Sequence, residues 1–296
     1  MKIGYNGSVI EAGNAVISVY DHGFLYGIGL FETFRTYEGG QPFLLERHLA
    51  RMMEGCRELG IHCPQLADQA AIRQWLAMLM EANELAEAYV RLTVTAGIGE
   101  LGLPPADYEQ PNMVMMVKKL PAVNEQLYAN GKELRRLAAV RNSPEGAVRR
   151  KSLHYMNNII AKRELVASGA APGSEGLMLT REGWLAEGIV SNLFFVREGR
   201  LYTPSIDTGI LPGITRERVM ELAREIGYSV EEGHYTWQEL LQADELWLTN
   251  SIQELVPVTR LSEESGAVHV VGHGTAGEVT LRLLHAYRKE TSRRQQ

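Results

Sequence analysis

Residues 186–195 read Ala-Glu-Gly-Ile-Val-Ser-Asn-Leu-Phe-Phe, and Glu187 is the one charged residue in this apolar stretch. The run from Asn192 to Arg197 predicts a strand, so Glu187 is expected to enter an apolar strand pair. A buried carboxylate without a partner costs free energy. We therefore expect a positively charged partner for Glu187, supplied either by the protein or by a ligand.

The composition is that of a folded protein. The chain has 296 residues, of which 45% are hydrophobic and 22% are charged, and at about 150 residues per domain this length predicts two domains. The net charge of -6 argues against a protein that coats nucleic acid or an anionic membrane. The apolar stretches are too short to span a bilayer and no signal peptide is evident, which predicts a cytoplasmic protein.

The two cysteines, Cys56 and Cys63, predict neither a disulfide framework nor a metal site. Their spacing matches no zinc-binding signature. Cys56 continues an apolar helical stripe, so it is expected to be a small core residue. No metal is therefore predicted.

The first third of the chain alternates strand and helix patterns. Hairpins are predicted around Asn6-Gly7 and Gly39-Gly40, the second one pairing residues 31–37 with 42–45, and two amphipathic helices follow around residues 49–56 and 72–79. Residues 88–96 predict a strand with one apolar face, and its other face carries Tyr89, Arg91, Thr93 and Thr95. That polar face either lines a polar cleft or is an outer face in contact with water.

The periodic pattern is lost near residue 121, which predicts a domain boundary. We expect a small α/β domain at residues 1–120, a linker at 121–126 and a large domain at 127–296. The expected helices and strands of the large domain lie at residues 156–168, 176–180, 192–197, 201–203, 215–226, 245–249 and 276–288. The polar tail from Thr291 to Gln296 is expected to be frayed.

Three further segments carry groups suited to chemistry. Lys151 follows Arg149-Arg150, and neighbouring cations or burial lower the pKa of a lysine, whose neutral amine can form a Schiff base; the alternative is a solvated basic loop. Residues 211–216 open a helix whose N-terminus would suit a phosphate, unless Thr215 simply caps it. Residues 249–251, Thr-Asn-Ser, place hydroxyl and amide groups directly after a buried strand.

In this order the segments resemble the fold-type IV enzymes that depend on pyridoxal 5'-phosphate (PLP). The resemblance runs from Asp21 to Pro257 and is carried by the Glu187-Gly-x-x-Ser-Asn-Leu-Phe segment, the Gly213-Ile-Thr-Arg loop and the Glu254-x-x-Pro257 segment. It implies an α+β fold of two domains, with a small α/β N-terminal domain and a larger, mixed, β-barrel-like C-terminal domain with helices. It also implies PLP as the cofactor and a homodimer.

The resemblance assigns roles to single residues. Lys151 matches the lysine that binds PLP covalently and then moves protons, Glu187 matches the carboxylate that pairs with the pyridine nitrogen, and Arg51 matches the arginine that clamps the phosphate. The remaining matches are the phosphate contacts Ile214 (backbone), Thr215 and Ser251, the ring-supporting residue Leu211, and the substrate-side residues Tyr89 and Arg91. Arg51, Arg91, Arg149, Arg150 and Lys151 are together expected to make a cationic pocket.

Differences from the family's patterns separate its members. D-amino acid aminotransferases carry an Arg/His pair after the strand that ends near residue 96, where this chain has residues 97–102, Gly-Ile-Gly-Glu-Leu-Gly. Branched-chain aminotransferases place a tyrosine where this chain has Met156. Residues 21–29, 31–35 and 151–158 are instead similar to the aminodeoxychorismate lyases of Gram-positive bacteria, and Thr33 matches their catalytic threonine.

This resemblance implies a lyase that converts 4-amino-4-deoxychorismate to 4-aminobenzoate, a folate precursor, and pyruvate. The alternatives are a branched-chain or D-amino acid aminotransferase of the same fold and a non-catalytic ligand-binding protein. Lyase and aminotransferase share every cofactor residue, so the cofactor motifs do not separate them. Arg91, Arg35 and His154 are candidates for binding the substrate carboxylates, the other interpretation being structural pairing.

Overall fold

The structure is a computed structural model that describes residues 1–104, 106–122 and 124–293. By their internal contacts the residues form two compact units. Unit 1 comprises Met1–Pro121 and Arg150–His154, and unit 2 comprises Ala122–Arg149 and the chain from Tyr155 onwards. The segment around Lys151 thus belongs with unit 1 although unit 2 flanks it in sequence. Val123, within the expected linker, lies outside the described residues.

Unit 1 is built on one antiparallel sheet. Its elements are β1 (Lys2–Tyr5), β2 (Ser8–Glu11), α1 (His22–Leu25), β3 (Gly29–Tyr37), β4 (Gln41–Pro42), α2 (Leu45–Glu58), α3 (Gln69–Ala82), β5 (Tyr89–Thr95) and β6 (Asn112–Lys118). The strand order is β2-β1-β6-β5-β3-β4, with each neighbouring pair antiparallel.

The first predicted hairpin is confirmed, because Asn6 and Gly7 both have positive φ, as a tight two-residue hairpin turn requires. The second prediction is wrong at its end. The strand stops at Pro42, and α2 begins at Leu45 after Leu44 turns the chain with φ of 53°. The run of apolar residues at 43–45 enters the core through this change of direction, with Leu45 fully buried.

Both predicted amphipathic helices pack on one face of the sheet. The shared core contains Leu49, Met52 and Cys56 of α2, Ile72, Trp75, Leu76 and Leu79 of α3, and Val90, Leu92 and Val94 of β5. Successive residues of a strand point to opposite faces. Thr33 of β3 and Tyr89 and Arg91 of β5 therefore lie on the face away from these helices.

The segment Arg150–His154 extends unit 1 along β3. Phe31 N donates to Lys151 O over 2.9 Å, Leu153 N donates to Gly29 O over 3.1 Å, and Ser152 forms an antiparallel bridge with Leu30. These bonds fix the backbone on both sides of Lys151.

Unit 2 contains the remaining elements and a nine-stranded mixed sheet. The elements are α4 (Glu125–Asn130), β7 (Lys132–Arg136), α5 (Met156–Ala167), β8 (Glu175–Leu179), β9 (Leu185–Gly188), β10 (Asn192–Arg197), β11 (Arg200–Pro204), α6 (Ile214–Glu225), β12 (Val230–Gly233), α7 (Trp237–Leu240), β13 (Glu245–Asn250), β14 (Glu254–Ser262), β15 (Val268–Val270) and α8 (Glu278–Arg293). The order is β12-β11-β10-β13-β14-β7-β8-β9, with β15 on β14.

The ends of this sheet meet. Leu185 N, at the start of β9, donates to Tyr235 O over 2.7 Å, and Trp184 forms a bridge with Thr236, just after β12. The sheet is therefore curled, and its enclosed core includes Leu193, Phe195 and Leu246. The α+β class and the mixed, barrel-like character expected for the larger part of the chain are confirmed.

One expectation about a helix needs correction, and a second helix has an unusual exposed face. The chain from Thr291 to Arg293 is the last turn of α8 rather than frayed tail, and residues 294–296 lie outside the described residues. In α5 the apolar residues at helical spacing face outwards, because Met156, Ile159 and Ile160 are 73%, 55% and 52% exposed. Among the described residues, no helix has the length and apolar character needed to cross a membrane.

Candidate active site

The predicted site residues form two groups, one in each unit. Unit 1 holds Thr33, Arg51, Tyr89, Arg91 and Lys151. Unit 2 holds Glu187, Leu211, Ile214, Thr215 and Ser251.

In unit 1, Lys151 lies beside the buried ring of Phe31, on the face of the sheet away from the helices. Its Nζ is 4.7 Å from the centre of the Phe31 ring, and the Cζ atom of Arg91 is 3.6 Å from the same centre. Cations are attracted to the face of an aromatic ring at such distances. Phe31 thus brings the amine of Lys151 and the guanidinium of Arg91 to one place.

The two arginines before Lys151 are structural, which corrects the expectation that they enlarge a cationic pocket. Arg150 is ion-paired with Glu58 and, at 2.9 Å, with Glu54, both on α2. Arg149 of unit 2 donates from Nε to Gly209 O over 2.5 Å. Burial, reinforced by the charge of Arg141, lowers the pKa of Arg149 to about 10.

Arg51 is oriented by a buried carboxylate that sequence reasoning missed. Its Nε donates to Glu32 Oε1 over 2.8 Å and its Nη2 donates to Glu32 Oε2 over 2.7 Å. His48 Nδ1 lies 2.7 Å from Glu32 Oε2. The sequence does contain a sign of this cluster, because Glu32 lies between Leu30 and Phe34 on the apolar face of β3. A buried charge at such a position requires partners of opposite charge.

The charges of this cluster follow from its contacts. Burial alone would raise the pKa of Glu32, but the charge of Arg51 and the hydrogen bond from His48 outweigh it and lower the pKa to about 2. Burial lowers the pKa of His48 despite its carboxylate partner. At neutral pH Glu32 is therefore ionised, and a neutral His48 donates its Nδ1–H.

The face of this sheet away from the helices carries cationic and aromatic side chains. Thr33 pairs with Arg91, and Arg35 pairs with Tyr89, which in turn pairs with Lys118. Lys118 Nζ lies 4.5 Å over the Tyr89 ring, and the Arg35 guanidinium contacts the Tyr37 ring and, at 3.3 Å, Glu87. The cations on this face can form charge-assisted hydrogen bonds with an anionic ligand.

His154 is engaged elsewhere in unit 1. Its Nε2 lies 3.0 Å from Tyr26 O, so the structural interpretation of this residue has a specific partner.

In unit 2, the protein itself supplies the positive partner expected for Glu187. Arg141 donates from Nε to Glu187 Oε1 over 2.8 Å, and its Nη2 lies at the same distance from that oxygen. Oε2 accepts from Asn192 Nδ2 over 3.1 Å and from Leu211 N over 3.0 Å. Four donor groups thus fix the orientation of a carboxylate that is 4% exposed.

The loop before α6 and the turn after β13 bring hydroxyl groups together. Thr215 Oγ1 lies 3.3 Å from Ser251 Oγ. The Gly213 position at the N-terminus of α6 offers no capping side chain, and a Cβ atom there would lie 2.0 Å from Asn192 Oδ1. Thr249, two residues before Ser251, has a buried hydroxyl without a hydrogen-bond partner among the described residues. A helix N-terminus of this kind with adjacent hydroxyls is suited to binding a phosphate.

Each unit carries residues whose chemistry suits part of a phosphorylated pyridine aldehyde. The hydroxyl groups at the α6 N-terminus suit the phosphate, Glu187 suits a protonated ring nitrogen, and Lys151 offers the amine. In the part of the chain that the structure describes, no group of three or more His, Cys, Asp or Glu side chains is placed to hold a metal ion.

Comparison with known proteins gives consistent results. The family model for class IV aminotransferases matches residues 29–261. The chain is 43% identical over 289 residues to an aminodeoxychorismate lyase of Bacillus subtilis, covering 96% of this chain and 93% of that protein.

Two solved structures share the fold. The 4-amino-4-deoxychorismate lyase from Pseudomonas aeruginosa is 32% identical with a TM-score of 0.82, over 97% of this chain and 98% of that one. A branched-chain amino acid aminotransferase of T.th., complexed with N-(5'-phosphopyridoxyl)-L-glutamate, is 29% identical with a TM-score of 0.83, over 99% and 95% of the two chains.

Proposed function

The chain belongs to the class IV aminotransferase family, and we propose that within it the protein is a PLP-dependent lyase that converts 4-amino-4-deoxychorismate to 4-aminobenzoate and pyruvate in folate biosynthesis. The observation that carries this proposal is the 43% identity to a lyase of that activity over nearly the whole chain. The similar fold of a second lyase supports it.

The cofactor is PLP, and the residues of unit 2 have the chemistry to hold two of its ends. The hydroxyls of Thr215 and Ser251, with the N–H of Ile214, would bind the phosphate, which a helix N-terminus favours. Glu187 would accept from the protonated ring nitrogen, and Leu211, whose N–H donates to Glu187, would support the ring. When bound, PLP draws electrons from the substrate carbon that bears nitrogen.

Arg51 of unit 1 is the further cation that the family resemblance assigns to the phosphate. Glu32 fixes the guanidinium through two of its nitrogens, and a fork held in this way loses little conformational entropy when it binds an anion. Glu32 therefore acts through Arg51 as a positioning residue.

Lys151 and Thr33 move the protons of the reaction. Lys151 would hold PLP through its amine, and with substrate bound this amine would take the proton from the substrate carbon that bears nitrogen. The Thr33 hydroxyl passes a proton to the carbon of the departing enolpyruvyl group, which leaves as pyruvate while the six-membered ring becomes aromatic. Thr33 lies two residues from Phe31 on one strand face, and Phe31 contacts Lys151 Nζ.

The cationic face of unit 1 supports an acidic substrate. Aminodeoxychorismate carries two carboxylates, one on its ring and one on the enolpyruvyl group, and the cation of Arg91 and the hydroxyl of Tyr89 on this face have the chemistry to bind them. Lys118, paired in register with Tyr89, adds positive charge in the same row, whereas Glu87 balances the charge of Arg35.

A homodimer is the proposed assembly. Met156, Ile159 and Ile160 form an exposed apolar stripe on α5, and Val166 at the end of that helix is also exposed. Contiguous exposed apolar residues typically mark an interface, and a second copy of the chain is the partner that the family resemblance implies. We also propose a cytoplasmic location, in keeping with the free thiols of Cys56 and Cys63.

Supplying aminodeoxychorismate without an amino acceptor tests the activity. The lyase releases 4-aminobenzoate and pyruvate under these conditions, whereas an aminotransferase turns over only when an amino acid and a keto acid are both present. A non-catalytic binding protein would show no visible absorbance from covalently held PLP. Loss of such absorbance in Lys151→Ala, with the fold retained by circular dichroism, supports the assigned role of Lys151.

A further inference from the structure

The turn that carries Ser251 is held by an unusual set of contacts. Asn250 at the end of β13 pairs with Glu254 at the start of β14, which leaves Ser251, Ile252 and Gln253 as the turn. The Asn250 Oδ1 atom accepts from Ile252 N over 3.0 Å and from Gln253 N over 2.8 Å. The side chain of Asn250, the residue before the turn, thus fixes the turn's backbone.

The residue that ends the turn adopts a conformation that side chains disfavour. Glu254 has φ of +63°, in the left-handed region that glycine or asparagine occupies more readily. Its side chain is 4% exposed, and its Oε2 accepts from Arg288 Nε over 2.7 Å. This conformation therefore occurs together with an ion pair between the buried Glu254 carboxylate and the half-buried Arg288 of α8.

Arg288 also connects the turn to a third element. Its Cζ atom lies 4.3 Å over the ring of Tyr128 on α4, and the Tyr128 hydroxyl donates to Gln253 O over 3.1 Å. Tyr128 of α4 thus binds the backbone of this turn at Gln253, and Arg288 of α8 binds the side chain of Glu254, which ends the turn. At the other end of this turn, Ser251 Oγ faces Thr215 Oγ1.

We propose that Glu254 and Arg288 are positioning residues that hold Ser251 against Thr215 for binding of the cofactor phosphate. This inference rests on the proposed assignment of Ser251 and Thr215 to that phosphate. The ion pair acts by fixing the turn that carries Ser251. It also gives a role to the Glu254-x-x-Pro257 segment, which the reaction itself does not use.

The test measures how firmly the holoenzyme keeps PLP. Arg288→Met removes a charged hydrogen bond, and we expect PLP to leave about tenfold faster, as followed by its transfer to an acceptor apoenzyme. The ³¹P resonance of the bound phosphate is expected to shift. Arg288→Lys keeps the charge and is expected to restore most of the retention. Should Arg288→Met fail to fold, Glu254→Gln, which keeps the side-chain volume, supplies the same measurement.

Two further variants separate positioning from general stability. Arg218→Met removes a comparable ion-pair cluster that ties α6 to Glu290 of α8, and it is expected to retain PLP like the wild type. Ser251→Ala is expected to release PLP faster, and adding Arg288→Met to it should cause little further change, because the ion pair acts through Ser251.

The outcomes are distinct. Wild-type PLP retention and an unchanged ³¹P resonance in folded Arg288→Met, alongside a weakened Ser251→Ala, overturn the positioning role and leave the phosphate assignment standing. Unchanged retention in Ser251→Ala overturns the phosphate assignment and the positioning role with it. Additive effects of the two substitutions also contradict the proposal.

Discussion

Glu32 and Glu187 are buried carboxylates on strands, and each is met by an arginine. A carboxylate in an apolar strand predicts a cationic partner, and for Glu187 this requirement was evident in the sequence. The identity of the partner was not, because Arg141 lies 46 residues away in a loop without periodicity. Arg51 was identified from resemblance, whereas its orientation by Glu32 depends on long-range packing.

The depressed pKa of Glu32 predicts an acid-sensitive contribution to stability. Folding lowers this pKa from 4.5 to about 2, so the ionised group stabilises the fold above about pH 4.5 and this contribution is lost as the pH falls toward 2. We expect Glu32→Gln to lower the free energy of unfolding by about 3 kcal/mol at pH 7. Urea denaturation at several pH values should show the difference from wild type shrinking below pH 4.5, and a pH-independent difference would contradict this origin.

Thr33 offers a test of proton relay at a single hydroxyl. Thr33→Ala is expected to slow the lyase reaction by about 100-fold, because a positioned proton donor typically contributes at least that much. Thr33→Ser keeps the hydroxyl and should recover most of the rate. PLP absorbance is the control, since neither change touches the proposed cofactor contacts. Equal rates in the alanine and wild-type proteins would remove Thr33 from the mechanism.

At the level of elements, periodic segments were predictable and aperiodic ones were not. The helices α2, α3 and α6 and the strand β5 follow apolar spacing that packing then uses. β7 is Lys-Glu-Leu-Arg-Arg, which shows no apolar alternation although Lys132 is buried beside Gln253. β14 contains Pro257, a residue that argues against a central strand, yet it pairs there with Trp247.

The exposed apolar residues Met156, Ile159 and Ile160 of α5 predict a dimer interface. A charged side chain introduced into this interface is expected to dissociate the dimer. Ile159→Glu places a carboxylate in an apolar interface, where it is costly, and the protein should sediment at its chain mass of 33.0 kDa rather than twice that value. Lys162→Glu, at an exposed polar position of the same helix, is the matched control and should remain dimeric. A wild-type protein that sediments as a monomer would refute the dimer.

For the whole molecule, the two-domain α+β architecture was predictable from motif order, whereas the return of Arg150–His154 to unit 1 was not. That return depends on pairing of Leu30 with Ser152, and local sequence carries no information on contacts so distant along the chain. The assignment as a lyase rather than an aminotransferase does not follow from the architecture. Both activities use the same cofactor residues, so it depends on Thr33, the basic face of unit 1 and the similarity to lyases.

The most direct measurement is product formation by the purified holoenzyme with aminodeoxychorismate as the only substrate. We expect equal amounts of 4-aminobenzoate and pyruvate over many turnovers, with no amino acid or keto acid added and none consumed. Turnover that appears only when an amino acid and a keto acid are supplied together would contradict the lyase and establish an aminotransferase instead.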